Sequence, residues 1–250
     1  MIKMKIFLIG IGTGNINHLT LEAVNTLNEV DLILIPKKTS DTSDLLNLRQ
    51  DICKKVIKKK QQNIVEFDLP KRNLKIEYNM SVCEWHFEVA NIWKKTIDNV
   101  QGKKNSIGLL IWGDPTLYDS SIKIALTLIN RLNITIISGI TSIQALMSAH
   151  TINMNEIGKP FFVTTGRFLK QRGLLFDNSR SFVMLDGKCS FQYINVSKFY
   201  IWWGAYLGMN KQIIYEGKLS EVYKKIIEIR NEARLQHGWI MDTYLLQKLD

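Results

Sequence analysis

The sequence has few of the residues that build disulfide scaffolds and metal centres. Its 250 residues include three cysteines, Cys53, Cys83 and Cys189, which are too few and too scattered for a disulfide framework. Cys83 and His86 have half of a zinc-site spacing, but no second half follows in the sequence. We therefore expect neither structural disulfides nor a metal site.

No apolar run approaches the roughly 20 residues that a membrane span requires. The apolar stretch within residues 1–12 is shorter, and it runs into a glycine-rich loop rather than a small-residue cleavage site. A first buried strand explains this stretch better than a secretion signal does. We therefore expect a cytoplasmic protein that makes no membrane contact.

The formal net charge is +10, which raises the question of a nucleic-acid partner. The densest basic run, residues 54–60, lies in a segment with an apolar stripe at helical spacing, formed by Leu45, Leu48, Ile52 and Val56. We therefore interpret these lysines as the solvated face of an amphipathic helix. The charge fits an anionic small-molecule substrate, and we expect no nucleic-acid partner.

Strand and helix patterns alternate along the first part of the chain. Strands are predicted at residues 5–11, 31–35, 106–112 and 134–138, and helices at residues 19–29, 43–61, 80–100 and 122–130. This alternation predicts an α/β protein with a parallel sheet covered on both faces.

The pattern changes after about residue 150. Shorter strands are predicted at residues 161–165, 182–185, 199–203 and 212–215, followed by a basic helix at residues 220–236 and a terminal segment. We therefore predict two domains, residues 1–149 and residues 150–250.

A glycine-rich loop, Gly-Ile-Gly-Thr-Gly-Asn at residues 10–15, joins the first strand to the first helix. A dinucleotide site requires G-x-G-x-x-G and an acidic residue near the end of the second strand. The sequence has Pro36, Lys37 and Lys38 there, and Asp31 opens that strand instead of closing it. The loop therefore argues against a dinucleotide site, and a plain structural turn stays possible.

Two further loops follow predicted strands, where open α/β sheets bind ligands. Residues 112–118 read Trp-Gly-Asp-Pro-Thr-Leu-Tyr, and residues 138–142 read Ser-Gly-Ile-Thr-Ser. In the first loop Asp114 is either a ligand contact or a turn and helix cap; in the second, Thr141 or Ser142 is either a ligand contact or a helix cap.

Taken in order, the three loops resemble the tetrapyrrole methylase family, whose members methylate uroporphyrinogen and precorrin rings. Residues 161–167, 183–187, 203–208 and 238–246 are similar to the subfamily that methylates precorrin-5 at carbon 1 and releases acetate. The likeness runs from Ile6 to Leu246. It departs from the common family form at Thr13 and Asn15, where proline and aspartate are frequent.

The resemblance implies a two-domain α/β fold with a parallel first sheet and a mixed second sheet, a homodimer, and S-adenosylmethionine bound in the cleft between the domains. The residues it implies at the cofactor are Trp112, Gly113, Asp114, Leu117, Thr141, Ser142, Leu185, Asp186 and Ala205. Those it implies at the anionic tetrapyrrole are Gly12, Thr13, Gly14, Lys38, Arg49 and Arg167. Lys38, Asp186 and Asp242 are the catalytic candidates, with a surface ion pair or a cap as the alternative for each.

None of the four histidines is predicted to be a catalytic base. Trp202 and Trp203 alternate on a predicted strand, so one of them is expected to pack in the core. Three other functions stay open: a methylase of the same family that acts at another ring position, a ribosomal RNA methyltransferase of the same fold, and a non-catalytic tetrapyrrole-binding protein.

Overall fold

The computed structural model describes residues 4–37, 43–59, 63–73, 75–102, 104–174 and 180–249. The chain forms two compact units, Met1–Ile140 and Thr141–Asp250, and each contains a five-stranded sheet. The units divide at Ile140, and the domain boundary expected after residue 149 stays a prediction. None of the described helices combines the length and apolar character that crossing a membrane requires.

The first unit is an all-parallel sheet with helices, which confirms the predicted α/β class. Its strands are β1 (Lys5–Gly10), β2 (Leu32–Lys37), β3 (Asn63–Asp68), β4 (Ser106–Ile111) and β5 (Ile134–Ile137), in the order β3-β2-β4-β1-β5. Its helices are α1 (Leu21–Glu29), α2 (Ser43–Val56), α3 (Tyr78–Asp98) and α4 (Ser121–Leu128).

Alternation along β1 builds a core on each face of this sheet. Ile6 and Leu8 belong to a buried cluster that includes residues of α3 and α4. Ile9 and Ile11 belong to a second cluster, which includes residues of α1 and α2. Because the side chains of a strand point alternately to the two faces, one apolar run supplies both clusters.

β3 was not predicted from the sequence. Most of its residues are exposed or half-buried, and Phe67 is its buried residue. Among the described strands, β2 is the one that pairs with β3, at the edge of the sheet. An edge strand of this kind lacks the continuous apolar run that identifies a central parallel strand.

The second unit has a mixed sheet, as the family resemblance implied. Its strands are β6 (Phe161–Thr165), β7 (Arg180–Met184), β8 (Phe199–Ala205), β9 (Ile213–Lys218) and β10 (Asp242–Lys248), in the order β6-β7-β10-β8-β9. β6 and β7 are parallel, and the other pairs are antiparallel. The helices are α5 (Ser142–His150), α6 (Gly166–Arg172) and α7 (Leu219–His237).

The chain's last strand, β10, lies in the middle of this sheet, between β7 and β8. Tyr244, Leu245 and Leu246 are buried there. The expectation for the tryptophan pair is confirmed, since Trp203 is fully buried on β8 whereas Trp202 is half-buried.

Candidate functional site

Three loops of the first unit meet at one edge of its sheet. β4, β1 and β5 are neighbours and run parallel, so the segments that follow them leave the sheet on the same side. These are the glycine loop after β1, the Trp-Gly-Asp-Pro loop after β4 and the Ser-Gly-Ile loop after β5. The carboxyl edge of a parallel sheet is where such folds bind ligands.

Backbone hydrogen bonds join the first two of these loops. The Gly12 amide donates to the Gly113 carbonyl at 3.2 Å, and the Gly113 amide donates to the Gly12 carbonyl at 2.8 Å. This pair forms an isolated antiparallel bridge beyond the parallel strands. Main-chain hydrogen bonds therefore hold the glycine loop and the Trp-Gly-Asp-Pro loop against each other.

Glycine is required where the third loop joins them. A Cβ added at Gly139 would lie 2.1 Å from the Gly113 carbonyl oxygen, and one added at Gly10 would lie 2.6 Å from the Gly139 nitrogen. No side chain fits at these separations. The close approach of the loops at this junction therefore depends on Gly10 and Gly139 having no side chain.

The carboxylate of Asp114 is the polar centre of this junction. It is buried, and it accepts hydrogen bonds from the Thr116 amide at 2.7 Å, the Thr116 hydroxyl, and the Gly139 amide at 2.9 Å. Burial acts to raise the pKa of Asp114, but these hydrogen bonds outweigh it, and the pKa lies below its ordinary value of 3.8. The Asp114 carboxylate is therefore ionised, and its hydrogen bonds join two loops.

Asp114 does not cap α4, which was one reading of the sequence. The amide of Ser121, in the first turn of α4, donates instead to the Asp119 carboxylate at 2.7 Å.

One side of the junction is open. Gly113 has a φ of +66°, and a Cβ added there meets no heavy atom of the rest of the described chain within 4 Å. The flanking Trp112 and Leu117 are half-buried and keep part of their apolar surface exposed. A ligand with an apolar part and hydrogen-bonding groups fits such a surface.

A side-chain contact joins the glycine loop to the residues that follow it. The buried Thr13 hydroxyl lies 3.0 Å from His18 Nδ1. Burial lowers the pKa of His18 from its ordinary value of 6.5, which favours the neutral imidazole at pH 7. The substrate contacts expected of Gly12, Thr13 and Gly14 stay predictions.

Arg49 places a positive charge against the end of β4. Its Nε lies 3.4 Å from the Leu110 carbonyl oxygen and its Nη1 lies 3.3 Å from that of Leu45. Burial lowers the pKa of Arg49 to about 10, with Asp119 acting in the opposite direction, so the guanidinium is still charged at neutral pH. Lys38, predicted as a substrate and catalytic residue, lies outside the described residues.

Asp31 has a structural role far from this edge. Its carboxylate accepts hydrogen bonds from the amides of Asn105 and Ser106, at 2.9 and 3.0 Å, where β4 begins. Asp31 therefore joins the amino ends of β2 and β4.

The second unit gathers predicted site residues at one edge of its own sheet. β7 and β8 are both antiparallel to β10, and β6 is parallel to β7, so β6, β7 and β8 end on the same side. The predicted residues at this edge are Arg167 after β6, Leu185 and Asp186 after β7, Ala205 at the end of β8, and Asp242 at the start of β10.

Leu185 stands out in this group because its backbone is left-handed and its side chain is exposed. Its φ is +54° and its exposed fraction is 65%. Non-glycine residues in this region of φ cluster at ligand-binding sites, where the surroundings hold them in place. Ala205, by contrast, is fully buried, and Arg167 is exposed at the start of α6.

The Asp186 carboxylate is fully engaged with its own loop and with β10. It accepts hydrogen bonds from the Lys188 amide at 3.1 Å, from the amide and hydroxyl of Ser190, and from the Tyr244 hydroxyl at 2.7 Å. Burial and the adjacent Asp186 charge raise the pKa of Tyr244 well above 10, so the phenol keeps the proton that it donates. Any catalytic use of Asp186 has to exchange one of these bonds.

Asp242 is paired with a residue that the sequence reading missed. Arg230 Nε donates to Asp242 Oδ2 at 3.0 Å, and Trp203 Nε1 donates to the same oxygen at 3.0 Å. Burial raises the pKa of Asp242, while Arg230 and Trp203 act in the opposite direction. One feature of the sequence could have identified Arg230 as a buried residue. It occurs four residues after the buried Ile226 on an otherwise amphipathic helix.

The alternative reading of Thr141 as a helix cap is confirmed. Thr141 is the N-cap of α5, and with Gln144 it forms a reciprocal capping box. Ser142 is the first residue of the helix.

At the other end of α5, His150 lies 2.9 Å from Glu216 Oε2 and 3.1 Å from the Trp203 carbonyl oxygen. The sequence indicated no partner for His150, because Glu216 is distant along the chain.

Comparison with known proteins adds independent findings. The family model described as Tetrapyrrole (Corrin/Porphyrin) Methylases matches residues 5–223. The chain is 41% identical over 249 residues to precorrin-6A synthase [deacetylating] of Sinorhizobium sp, a match that covers 98% of this chain and 95% of that protein.

Solved structures agree with this match. A cobalamin synthesis related protein (CobF) from Corynebacterium diphtheriae is 34% identical, with a TM-score of 0.83 over 99% of this chain and 100% of that one. Uroporphyrin-III C-methyltransferase from Thermus thermophilus, solved with S-adenosylhomocysteine, is 14% identical, with a TM-score of 0.62 over 97% of each chain. At that identity the second likeness concerns the fold alone.

Proposed function

Since this chain belongs to the tetrapyrrole methylases, which use S-adenosylmethionine, we propose that it methylates precorrin-5 at carbon 1 and releases acetate. The reaction consumes S-adenosylmethionine, precorrin-5 and water, and it gives S-adenosylhomocysteine, precorrin-6A and acetate. The observation that carries this proposal is the 41% identity to a precorrin-6A synthase across 98% of the chain. The precorrin-6A so formed is an intermediate of cobalamin biosynthesis.

We assign cofactor contacts to strand-end loops in each unit, taken separately. In the first unit the contacts are assigned to Trp112, Gly113, Asp114 and Leu117, and the open side of Gly113 supports this choice. In the second unit they are assigned to Thr141, Ser142, Leu185, Asp186 and Ala205, and the exposed, left-handed Leu185 supports it. When bound, the cofactor supplies a methyl group that its positively charged sulfur has already activated.

The protein's main catalytic task in this proposal is alignment. A macrocycle carbon has to be held in line with the methyl group, and fixed proximity of this kind contributes roughly 7–11 kcal/mol to catalysis. The loops joined by Gly12, Gly113 and Gly139 are suited to the task because their backbones are locked together. A rigid loop loses little conformational entropy when it binds its ligand.

Cationic residues are assigned to the carboxylates of the substrate. Arg49 and Arg167 carry guanidinium groups, which bind carboxylates through two parallel hydrogen bonds. The half-buried Arg49 beside the end of β4 supports this assignment most directly. Lys38 is kept as a third candidate on the strength of the resemblance.

Loss of the acetyl group requires a positioned water molecule and donors for the developing oxyanion. We keep Lys38, Asp186 and Asp242 as candidates for these roles. Asp186 and Asp242 act as bases in this scheme only if they release a present partner, since Tyr244 and Arg230 already occupy their oxygens. A homodimer and a cytoplasmic location also belong to the proposal, as the family resemblance implies.

The purified enzyme, incubated with precorrin-5 and methyl-labelled S-adenosylmethionine, tests the proposal. We expect label in the tetrapyrrole product and one acetate for each methyl group transferred. Parallel incubations with other precorrins and with uroporphyrinogen serve as controls and should release no acetate. Methylation of another substrate without acetate indicates a different ring position, and tetrapyrrole retention without cofactor binding indicates a non-catalytic carrier.

A further inference from the structure

Helix α7 carries an arginine whose side chain is directed into the second unit. Arg230 is 5% exposed, and the other buried residues of α7 are Leu219, Ile226 and Ala233. Its guanidinium binds the Asp242 carboxylate through two hydrogen bonds, from Nε at 3.0 Å and from Nη2 at 3.3 Å. Both side chains of this ion pair are almost completely buried.

A buried ion pair of this kind contributes little to the stability of the fold by itself. Removing both charges from water costs several kcal/mol per ion, and apolar residues of similar size often replace a buried pair without loss of stability. A bidentate arginine does, however, fix the position of everything that its remaining donors reach. The further partners of Arg230 therefore indicate what the pair positions.

One further partner is the main chain of the loop after β7. Arg230 Nη2 donates to the Asp186 carbonyl oxygen at 3.1 Å. Asp186 directly follows Leu185, whose left-handed backbone has to be held in place by its surroundings. From the other side, the Asp186 carboxylate accepts hydrogen bonds from Ser190 and Tyr244. Arg230 is thus a buried cation that donates to the backbone beside Leu185.

We propose that Arg230 is a positioning residue for the cofactor site: it fixes the Asp186 carbonyl group, and through it presents the exposed Leu185 side chain to S-adenosylmethionine. This inference rests on the proposed function, because it assigns the exposed surface of Leu185 to the cofactor. Arg230 itself touches neither cofactor nor substrate in this account.

The charges that face Arg230 keep it ionised. Burial acts to lower the pKa of Arg230, but the charge of the Asp242 carboxylate and its hydrogen bonds with Arg230 outweigh burial and hold the pKa above its ordinary value. The guanidinium therefore stays charged at neutral pH, and it differs from a lysine ammonium in its planar shape. That makes lysine an informative replacement.

Arg230→Lys keeps the positive charge beside Asp242 but loses the planar donor for the Asp186 carbonyl. We expect the variant to fold and its Kd for S-adenosylhomocysteine, measured by calorimetry, to rise about fivefold or more through loss of that hydrogen bond. In the ligand-free protein, the amides of Lys188 and Ser190 should exchange with deuterium faster than in the wild type. In turnover, KM for S-adenosylmethionine should rise more than kcat falls.

Arg234→Met, on the exposed side of the same helix, is the matched control and should leave all three measurements unchanged. A second variant, Arg230→Met combined with Asp242→Leu, removes both charges, and we expect it to keep a cooperative melting transition while binding S-adenosylhomocysteine as weakly as Arg230→Lys. Only binding and melting are read from this variant, because Asp242 is also a catalytic candidate.

Two results overturn the inference while leaving the proposed function intact. The first is that the wild type and the Arg230→Lys variant bind S-adenosylhomocysteine with the same affinity and show the same amide exchange. The second is a lower melting temperature in the Arg230 variants with unchanged affinity, which assigns Arg230 to stability alone. A wild type without affinity for S-adenosylhomocysteine overturns the proposed function itself, and the inference with it.

Discussion

The Asp114 carboxylate accepts a hydrogen bond from the Gly139 amide at 2.9 Å, and this contact links two loops whose strands are not neighbours. Asp114 follows β4 and Gly139 follows β5, while β1 lies between these strands in the sheet. The contact therefore spans the end of β1. It makes Asp114 a residue of the site's framework as well as a candidate for contact with the cofactor.

Replacing Asp114 with asparagine should weaken this framework. The amide has one acceptor oxygen where the carboxylate has two, so the hydrogen bonds to Thr116 and Gly139 cannot all be kept. We expect the free energy of unfolding of the wild type to exceed that of the variant by about 1–3 kcal/mol, measured by urea denaturation.

Asp119→Asn is the matched control for this prediction, because it makes the same chemical change in the same loop. One asparagine oxygen suffices for the bond that Asp119 accepts from the Ser121 amide. A stability loss in Asp119→Asn as large as that in Asp114→Asn would argue against a special role for Asp114.

The stability that Asp114 contributes should depend on pH in a defined direction. Its pKa in the folded protein lies below 3.8, so the folded state binds this proton less readily than the unfolded state does. The contribution is therefore fully present above about pH 4 and declines as the pH falls through the folded pKa. Urea denaturation of wild type and Asp114→Asn at several pH values measures the difference. A difference that grows on acidification contradicts the assignment.

Two glycines at the junction should respond differently to alanine. In Gly139→Ala the new methyl group meets the Gly113 carbonyl oxygen at 2.1 Å, so the loops have to separate, and we expect a stability loss of about 3 kcal/mol or more. In Gly113→Ala the methyl group enters open space, and only the left-handed φ opposes it, at a cost of about 1–2 kcal/mol.

Affinity for S-adenosylhomocysteine gives separate information on the Gly113→Ala variant. Because the open side of Gly113 is where we place the cofactor, Gly113→Ala should bind S-adenosylhomocysteine more weakly than its small stability loss explains. Thermal melting and calorimetry on the same preparations give both quantities. Normal affinity in a folded Gly113→Ala protein places the cofactor elsewhere.

The three cysteines should differ in reactivity. Cys53 and Cys189 are buried, and burial raises the pKa of each thiol to about 11, whereas Cys83 is exposed on α3. Since the thiolate is the reactive form, iodoacetamide at pH 8 should modify Cys83 in the native protein and all three cysteines after denaturation. Mass spectrometry of the alkylated peptides checks this prediction. Rapid labelling of Cys189 would show that the loop after β7 opens readily.

The sequence predicted β1, β2, β4 and β5 of the first unit because these strands carry continuous apolar runs that end in recognisable loops. The run in β1 supplies both faces of the core, and Gly10 and Gly139 mark the points where backbones touch. The order of the loops along the chain carried the family resemblance, and the resemblance implied that they belong to one ligand site.

The second unit was harder to predict because distant parts of the chain decide it. β10 pairs with β7 and β8, which lie well upstream, and nothing local to residues 242–248 shows that this strand is central. Arg230 and Asp242 are twelve residues apart in the sequence, and their pairing follows from the packing of α7 against the sheet. Polar contacts between separate elements of this kind leave no periodic pattern in the sequence.

A calorimetric titration of the purified protein with S-adenosylhomocysteine tests most directly whether the strand-end loops form a cofactor site. We predict saturable binding of one molecule per chain in the wild type, and much weaker binding in Gly139→Ala under conditions where that variant is folded. Absence of binding in the wild type, or equal binding in a folded Gly139→Ala protein, would contradict the account.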